Sequence, residues 1–192
     1  MTQTRPWTSS DLELLPEDGK RYEIIDGELF TSRQPHTYHQ ITCHNGGSVL
    51  QNGNTTANLG QVIPAPGLIF GEHDDVAPDL VWIRHANLAT ALEADGKLHA
   101  APELVIEVLS SGATNERRDR EIKLKLYSQR GVREYWIANW RRREVEVYRR
   151  IDATLQLVGT LLEGDVLTSP MLPGFSSPVA ALFAGIPATS PK

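Results

Sequence analysis

The strongest strand pattern in the chain is ELVIEVLS at residues 103–110, which lies between Pro102 and Gly112. An apolar run of this length predicts a strand that is buried on both faces of a sheet. Glu107 interrupts the run, and an ionised carboxylate in such a place costs several kcal/mol unless it is paired. The pattern therefore predicts either a partner or a chemical role for Glu107.

The other apolar and polar positions predict a mixture of helices and strands around this strand. Asp26-Gly27 suits a two-residue type I′ turn, so KRYEIIDGELFTS is predicted to form a β-hairpin. Further strands are predicted in 77–83, EYWIAN and REVEVYRR, and in 60–70, where prolines break the pattern. The tail is predicted to form short strands and a segment that packs around Leu182 and Phe183. Short helices are predicted in TSSDLELLPE and NLATALEADGK, and longer ones over 38–51, where NGGS weakens the pattern, and over 116–130.

This order of elements predicts an α/β fold with a mixed central β-sheet flanked by helices and an N-terminal β-hairpin. The 192 residues suit a single domain, with a core over about 8–183 and a flexible tail over 184–192. Cys43 is the one cysteine, which excludes an internal disulfide and a multi-cysteine zinc site and fits the cytoplasm. No stretch approaches the roughly 20 apolar residues of a membrane-spanning helix, so no membrane partner is expected.

Positive charge is concentrated in one part of a chain whose net charge is −5. Residues 117–150 hold 12 of the 19 lysines and arginines but only five acidic residues. Such a segment can bind phosphate, although solvated arginines are an equally good interpretation. The candidate phosphate-binding residues are Arg117, Arg118, Arg120, Arg141, Arg142 and Arg143.

Two carboxylates are candidates for a metal site. Asp79 enters one predicted strand and Glu107 lies within another, so the two side chains could meet if the strands are neighbours. Carboxylates that converge repel each other unless a cation lies between them, and hard oxygen ligands favour Mg²⁺ or Mn²⁺. A strand-entry aspartate and a structural ion pair of Glu107 are the simpler alternatives.

The helix over 116–130 offers a lysine to this pair. At 100° per residue, Lys123 points in the mean direction of the apolar side chains, whereas Lys125 faces water. Asp119 also points inward and, one turn before Lys123, could pair with it or hold it in place. An inward lysine can neutralise an inward acid or position an attacking water.

Five segments carry a family resemblance that covers about residues 8–183. In order, KRYEIIDGEL, APDLVWI, APELVIEVLSS, RRDREIKLKLYSQRGVREYWIAN and EVEVYRR resemble the Uma-two family of restriction-endonuclease-like proteins, a branch of the PD-(D/E)XK nuclease superfamily. The resemblance implies a restriction-endonuclease-like core, a divalent metal and a nucleic-acid substrate. Asn139 and Ser111 depart from the aspartate and proline that are common in the family.

The resemblance also implies roles for individual residues. Asp79 and Glu107 match the two acidic metal ligands, the carbonyl of Val108 is an expected further ligand, and Glu23 matches an N-terminal acid that can complete the site. Leu109 stands where the superfamily usually has lysine, and Lys123 on the following helix matches the family's alternative. His39 matches a frequent histidine that could shuttle protons or contact phosphate, although an ordinary helix histidine is the simpler interpretation. A zinc site of His36, His39 and His44 is poor because no fourth ligand is evident.

The leading hypothesis is a Mg²⁺- or Mn²⁺-dependent endonuclease that hydrolyses phosphodiester bonds of DNA, acting as a homodimer because cutting two strands needs two sites related by two-fold symmetry. Asp79, Glu107 and Lys123 are its candidate catalytic residues, with His39 and Asp119 as auxiliary groups. The alternative is a catalytically silent nuclease fold that binds DNA or a protein partner. A third option is a purely structural ion pair of Glu107 and Lys123.

Overall fold

The computed structural model describes residues 5–187 and, for residues 56 and 57, the backbone alone. Its helices are α1 (Ser9–Leu12), α2 (Thr37–Ala57), α3 (His85–Ala91), α4 (Ala113–Arg117) and α5 (Leu124–Arg130), with a π-helical segment at Arg118–Lys123 and a 3-10 helix at Val179–Phe183. We call the continuous helical stretch 113–130 the crossover helix. Within residues 5–187 no helix combines the length and the apolar character needed to cross a bilayer.

Six strands form the central sheet, in the order β10-β9-β8-β7-β6-β3. They are β3 (Gly60–Pro64), β6 (Leu80–Arg84), β7 (Leu104–Val108), β8 (Glu134–Asn139), β9 (Glu144–Ile151) and β10 (Thr154–Leu162). Strands β7 and β8 are parallel and the other neighbours antiparallel, so the sheet is mixed, as predicted. The crossover helix joins β7 to β8, which is the connection that a parallel pair requires.

A second sheet contains the predicted hairpin. Its strands, in the order β2-β1-β5-β4, are β1 (Arg21–Ile25), β2 (Glu28–Ser32), β4 (Leu68–Gly71) and β5 (Asp74–Val76), and a separate pair joins β11 (Val166–Thr168) to β12 (Ser176–Pro178). Asp26 (φ 53°) and Gly27 (φ 73°) both adopt left-handed conformations, which confirms the type I′ turn.

Alternation along β7 divides the apolar core between the two faces of the central sheet. Val105 packs with Tyr127 and Ile25 on the face that the crossover helix covers, between the two sheets. Leu104 and Ile106 point to the opposite face, where α2 and the 3-10 helix cover them. Glu107 shares the face of Val105, because side chains two residues apart on a strand point the same way.

Helix α2 continues through the NGGS segment and ends six residues beyond the predicted limit of 51. An added Cβ at Gly46 would lie 3.1 Å from Leu80 Cδ1, and one at Gly53 would lie 2.3 Å from Phe175 Cδ2. The glycines thus let the helix lie close against its neighbours, and this packing offsets their low helix propensity.

Two further predictions are corrected in detail, and the structure limits a third. The crossover helix begins at Ala113 rather than 116 and contains the π-helical segment, which simple periodicity does not reveal. The pattern over 60–70 divides into β3 and β4, which belong to different sheets and are separated by a turn with Ala65 at φ 46°. The packed chain extends to the buried Ile186, and residues 188–192 of the predicted flexible tail lie outside the described residues.

Candidate active site

Asp79 and Glu107 lie side by side at the end of two neighbouring strands. Leu80 of β6 pairs with Ile106 of β7 in an antiparallel register, which brings Asp79, one residue earlier, opposite Glu107, one residue later. The amide of Val108 donates a hydrogen bond of 2.9 Å to Asp79 Oδ2. Both carboxylates are buried, so the predicted juxtaposition of the two acids is present.

Lys123 reaches this pair from the crossover helix. Its Nζ lies 2.9 Å from Glu107 Oε1 and 2.8 Å from Glu23 Oε1, and its side chain is 1% exposed. Tyr127 donates a second hydrogen bond, of 2.8 Å, to the same oxygen of Glu107. Lys125 is exposed, so the choice of Lys123 as the inward lysine is confirmed.

The π-helical segment explains how one helix supplies several buried charges. Arg118, Asp119 and Lys123 are its buried residues. Because a π-helix bonds residue i to i+5, Arg118 and Lys123 lie one above the other on the face toward the sheets. Asp119 accepts a bond of 3.2 Å from Arg118 Nε, so its ion-pair partner is Arg118 rather than the predicted Lys123.

Glu23 enters from β1 of the second sheet. Its Oε1 contacts Lys123 and accepts a hydrogen bond of 3.0 Å from the amide of Ala77. Its Oε2 is buried without a hydrogen-bond partner among the described residues and lies 3.8 Å from Arg118 NH1. The N-terminal acid that the resemblance implied therefore lies within the cluster, on the far side of Lys123 from Glu107.

Two more side chains fix Asp79. His39 Nε2 of α2 lies 3.2 Å from Asp79 Oδ2, and Arg21 NH1 of β1 lies 3.2 Å from Oδ1. Sequence reasoning missed Arg21, although it lies two residues from Glu23 on the same face of β1, and that spacing was the available signal. The two oxygens of Asp79 thus have partners on three elements.

Acids outnumber permanent cations in this cluster, and the pKa values respond. Four carboxylates, those of Glu23, Asp79, Glu107 and Asp119, accompany the three permanent cations Arg21, Arg118 and Lys123. Burial raises the pKa of Glu107 to about 8. The positive charge of Lys123 opposes this shift, and the negative charges of Asp79, Asp119 and Glu23 add to it.

The pKa shifts of Asp79 and Lys123, unlike that of Glu107, favour the charged form of the side chain. Burial opposes ionisation of Asp79, but His39 and the Val108 amide outweigh it and lower the pKa of Asp79 to about 2. Burial alone would lower the pKa of Lys123, yet the charges of Glu107, Glu23 and Asp119 raise it above the ordinary value. At neutral pH, Lys123 is therefore charged, whereas the ionisation of Glu107 is held back.

A cavity of about 210 Å³ opens over the two central acids. Asp79, Glu107 and Val108 line its inner end, together with Arg118 and His39. Both donors to Glu107 bond to Oε1, and none of the described residues donates to its Oε2. Two carboxylates around a water-accessible space are a donor set that fits Mg²⁺ or Mn²⁺, which is held by one or two carboxylates and retains several waters.

Most of the arginines predicted to bind phosphate already have acidic partners. Arg120 contacts Glu116 and Glu146, Arg141 contacts Glu116, Arg143 contacts Glu163, and Arg118 lies inside the acidic cluster. Arg117 and Arg142 are 70% and 74% exposed at their side chains, although each lies within 4 Å of a glutamate. The cavity is also lined by Lys20, Arg21 and Arg33, of which Lys20 pairs with Asp18 and Arg21 with Asp79.

The two departures from the family pattern lie at the end of β8 and in the loop after β7. Asn139 Oδ1 accepts hydrogen bonds of 3.2 and 3.3 Å from the amides of Arg141 and Arg142, so it stabilises the turn between β8 and β9. The hydroxyl of Ser111 accepts a bond from Arg141. Both residues therefore shape the framework around the site.

The mixed sheet, the crossover helix and the paired acids at neighbouring strand ends define an α/β protein of nuclease type. The model of the Uma2 family, described as "Putative restriction endonuclease", matches residues 9–180, and the chain belongs to this family. No curated protein matches the chain.

Two solved structures are similar to this one. The crystal structure of a "putative nuclease belonging to DUF820" from Anabaena variabilis superposes with a TM-score of 0.72 at 19% identity, over 93% of this chain and 98% of that one. The type IIG restriction endonuclease BpuSI aligns with a TM-score of 0.41 at 15% identity, over 76% of this chain and 15% of that one. The first similarity confirms the fold.

Proposed function

We propose that this protein is a Mg²⁺- or Mn²⁺-dependent endonuclease that hydrolyses phosphodiester bonds of DNA. The observation that carries the proposal is the position of Lys123, 2.9 Å from Glu107, which lines a cavity together with Asp79. Family membership supports the nuclease class, and the metal, the substrate and the residue roles are our inference.

Asp79, Glu107 and the carbonyl of Val108 would hold the metal, with Glu23 balancing the charge of Lys123 from the other side. The bound metal would supply a water of lowered pKa and stabilise negative charge on the scissile phosphate. Val108 and His39 keep the Asp79 carboxylate oriented toward the cavity. Asp119 would act indirectly, because its contact with Arg118 holds that guanidinium against the site.

Lys123 is suited to an electrostatic role. Two carboxylates within 3 Å keep its ammonium charged, so it cannot accept a proton from water at neutral pH. A fixed ammonium beside the metal ligands would instead orient the attacking water and neutralise the charge that develops on phosphate oxygens.

Cations that line the cavity would give the substrate a place to bind. Arg33 and Lys20 line the same cavity as Asp79 and Glu107, at the side of the β1–β2 hairpin and the segment that follows it. Flanking phosphates of a nucleic acid could contact these residues and the exposed Arg117 and Arg142. We expect a homodimer for cleavage of both strands, since each strand needs its own site.

One observation favours the alternative of a silent nuclease fold. Both oxygens of Asp79 already have partners in Val108, His39 and Arg21, and Lys123 lies between two acids as a structural ion pair would. In that case the fold would bind DNA or a protein partner without cutting it.

Isosteric variants separate the two functions. We expect Mn²⁺-dependent nicking of plasmid DNA by the wild type, and its loss in Asp79→Asn, Glu107→Gln and Lys123→Met. Lys125→Met is the matched control, because this exposed lysine lies on the same helix two residues away. Cleavage that persists in all three site variants would overturn the proposal, and salt-dependent DNA binding without cleavage by the wild type would favour the silent fold.

A further inference from the structure

One cluster beside the candidate active site has a different donor chemistry. His39 and Cys43 lie one turn apart on α2, with 3.5 Å between Nδ1 and Sγ, and Asp79 Oδ2 lies 3.2 Å from the other ring nitrogen of His39. One ligand atom from each of the three residues lies within 4.8 Å of the others. Among the residues that the structure describes, this is the one group of three or more histidine, cysteine or acidic side chains with that spacing.

The donors of this cluster differ from those of the two-acid site. A thiolate, an imidazole and one carboxylate are the ligands of tetrahedral Zn²⁺, whereas Mg²⁺ takes oxygen ligands alone. Ligand atoms around tetrahedral zinc are about 3.4–3.6 Å apart, given its bond lengths of about 2.0–2.3 Å. The cluster must therefore close by about 1 Å around one nitrogen of His39, which requires these side chains to rotate.

The surroundings leave access for an ion and for a fourth ligand. His39 and Asp79 line the cavity of the candidate active site, and Cys43 lines a groove of about 550 Å³ on the other side, between α2 and β3. Catalytic-type zinc sites have three protein ligands and leave the fourth position to water or substrate. Water from either opening could occupy that position here.

We propose that His39, Cys43 and Asp79 form a Zn²⁺ site that shares Asp79 with the Mg²⁺ site, so that zinc excludes the activating metal. Zinc binding follows from the three side chains alone, and only its inhibitory effect rests on the proposed nuclease function. With the oxygen that faces His39 bound to Zn²⁺, Asp79 offers fewer oxygens to Mg²⁺, and repulsion between two close divalent cations adds to the exclusion.

Zinc binding has a defined proton balance. Burial raises the pKa of the Cys43 thiol, so the metal-free side chain is protonated. The thiolate is the form that ligates zinc, so the Cys43 proton is released to solvent when the sulfur–zinc bond forms. No oxidation or reduction is involved.

Co²⁺ is a spectroscopic probe for this site in the untagged full-length protein. Cys43 is the one cysteine of the chain, so a near-ultraviolet thiolate-to-Co²⁺ band can report on no other residue. We expect the band and the visible spectrum of tetrahedral Co²⁺ to appear with one equivalent of Co²⁺ and to disappear when one equivalent of Zn²⁺ is added. A Co²⁺ complex without a thiolate band would overturn the proposal.

Two variants test the assignment by calorimetric titration with ZnCl₂. Cys43→Ser should weaken Zn²⁺ binding by at least about tenfold, since even changes outside the ligand set cost about 10- to 100-fold. His44→Ala is the matched control, because this exposed histidine adjoins Cys43 on the same helix. Equal zinc affinity in wild type and Cys43→Ser, with a matching unfolding temperature, would contradict the site.

An activity arm keeps this proposal separate from the proposed function. If Mn²⁺ supports cleavage, Zn²⁺ should inhibit the wild type at concentrations about tenfold lower than it inhibits Cys43→Ser. Cleavage by the wild type that zinc leaves unaffected, while the Co²⁺ band is present, would overturn the exclusion. Absence of cleavage with any metal would contradict the nuclease proposal, whereas the Co²⁺ band would still establish the zinc site.

Discussion

Lys123 lies 2.9 Å from Glu107 although 16 residues and a change of secondary structure separate them. Strand β7 brings the acid to the end of the sheet, and the crossover helix returns over that face to deliver the ammonium. Both side chains are 3% exposed or less, so water cannot replace either side chain as the partner of the other. Their pairing therefore stabilises the fold and also lies at the centre of the candidate site.

Replacing Lys123 alone should destabilise the protein strongly. In Lys123→Met the carboxylates of Glu107 and Glu23 lose their shared cation, and breaking a buried pair costs about 3–5 kcal/mol. Denaturant unfolding should show this loss, while Lys125→Met should change the free energy of unfolding by less than about 0.5 kcal/mol. The double variant Glu107→Gln/Lys123→Met should lose less than Lys123→Met, and a double variant that is less stable than the single one would contradict the pairing.

The hydroxyl of Tyr127 should make a smaller and separable contribution. Tyr127→Phe removes the 2.8 Å hydrogen bond to Glu107 but leaves Lys123 in place, so a loss of about 1 kcal/mol is expected. Tyr38→Phe is the control, because the hydroxyl of Tyr38 makes no hydrogen bond to the described residues. Thermal unfolding of the two variants measures the difference, and equal melting temperatures would argue against the Tyr127 bond.

Metal affinity should increase with pH. Burial raises the pKa of Glu107 to about 8, so below that pH a metal must displace the proton of this carboxyl. Calorimetric titration should show Mn²⁺ affinity rising by up to about tenfold per pH unit between pH 6 and 8 and levelling above it. Affinity that is independent of pH, or that falls over this interval, would show that Glu107 is not a ligand.

Without metal, the same group should make stability depend on pH in the opposite sense. The folded protein retains the Glu107 proton up to about pH 8, whereas the unfolded chain releases it near the ordinary glutamate pKa of 4.5. The folded state therefore binds more protons between these values, and the free energy of unfolding falls as the pH rises through them. Glu107→Gln should flatten this dependence in denaturant titrations with chelator, and an unchanged slope would contradict the shift.

The glycines of α2 should respond to substitution in opposite directions. An added Cβ at Gly53 would lie 2.3 Å from the ring of Phe175, so Gly53→Ala should cost about 1–3 kcal/mol through overpacking. At Gly47 the nearest atom, Leu80 Cδ2, is 3.5 Å away, so Gly47→Ala should gain about 0.5–1 kcal/mol of helix propensity. Melting temperatures that shift in the same direction would show that α2 does not pack as described.

The sequence sufficed for those features that local patterns determine. The β1–β2 turn follows from Asp26-Gly27, and strand β7 follows from its apolar run. Lys123 was identified because the residues that follow it, Leu124–Arg130, form regular α-helix, for which the 100° rule holds. These features depend on neighbours a few residues away.

Other features depend on contacts between distant parts of the chain. The continuity of α2 through Gly46 is decided by the close approach of Leu80, which no local pattern contains. Strand β5 has the sequence Asp-Asp-Val, which local propensity disfavours, and it is buried because Arg130 and Lys97 pair with its two aspartates. The π-helical segment likewise carries Arg118 and Lys123, which are buried and contact acids on distant strands.

The acids of the candidate site and the lysine that pairs with them are synthesised at different times. Glu107 leaves the ribosome 16 residues before Lys123, and Glu23 much earlier, so the acids are synthesised before their cation. Until the crossover helix docks, these carboxylates remain in water and no common cavity exists. A partly folded or truncated chain that ends before the crossover helix therefore has no assembled centre, and any activity of the site arises only with the completed tertiary structure.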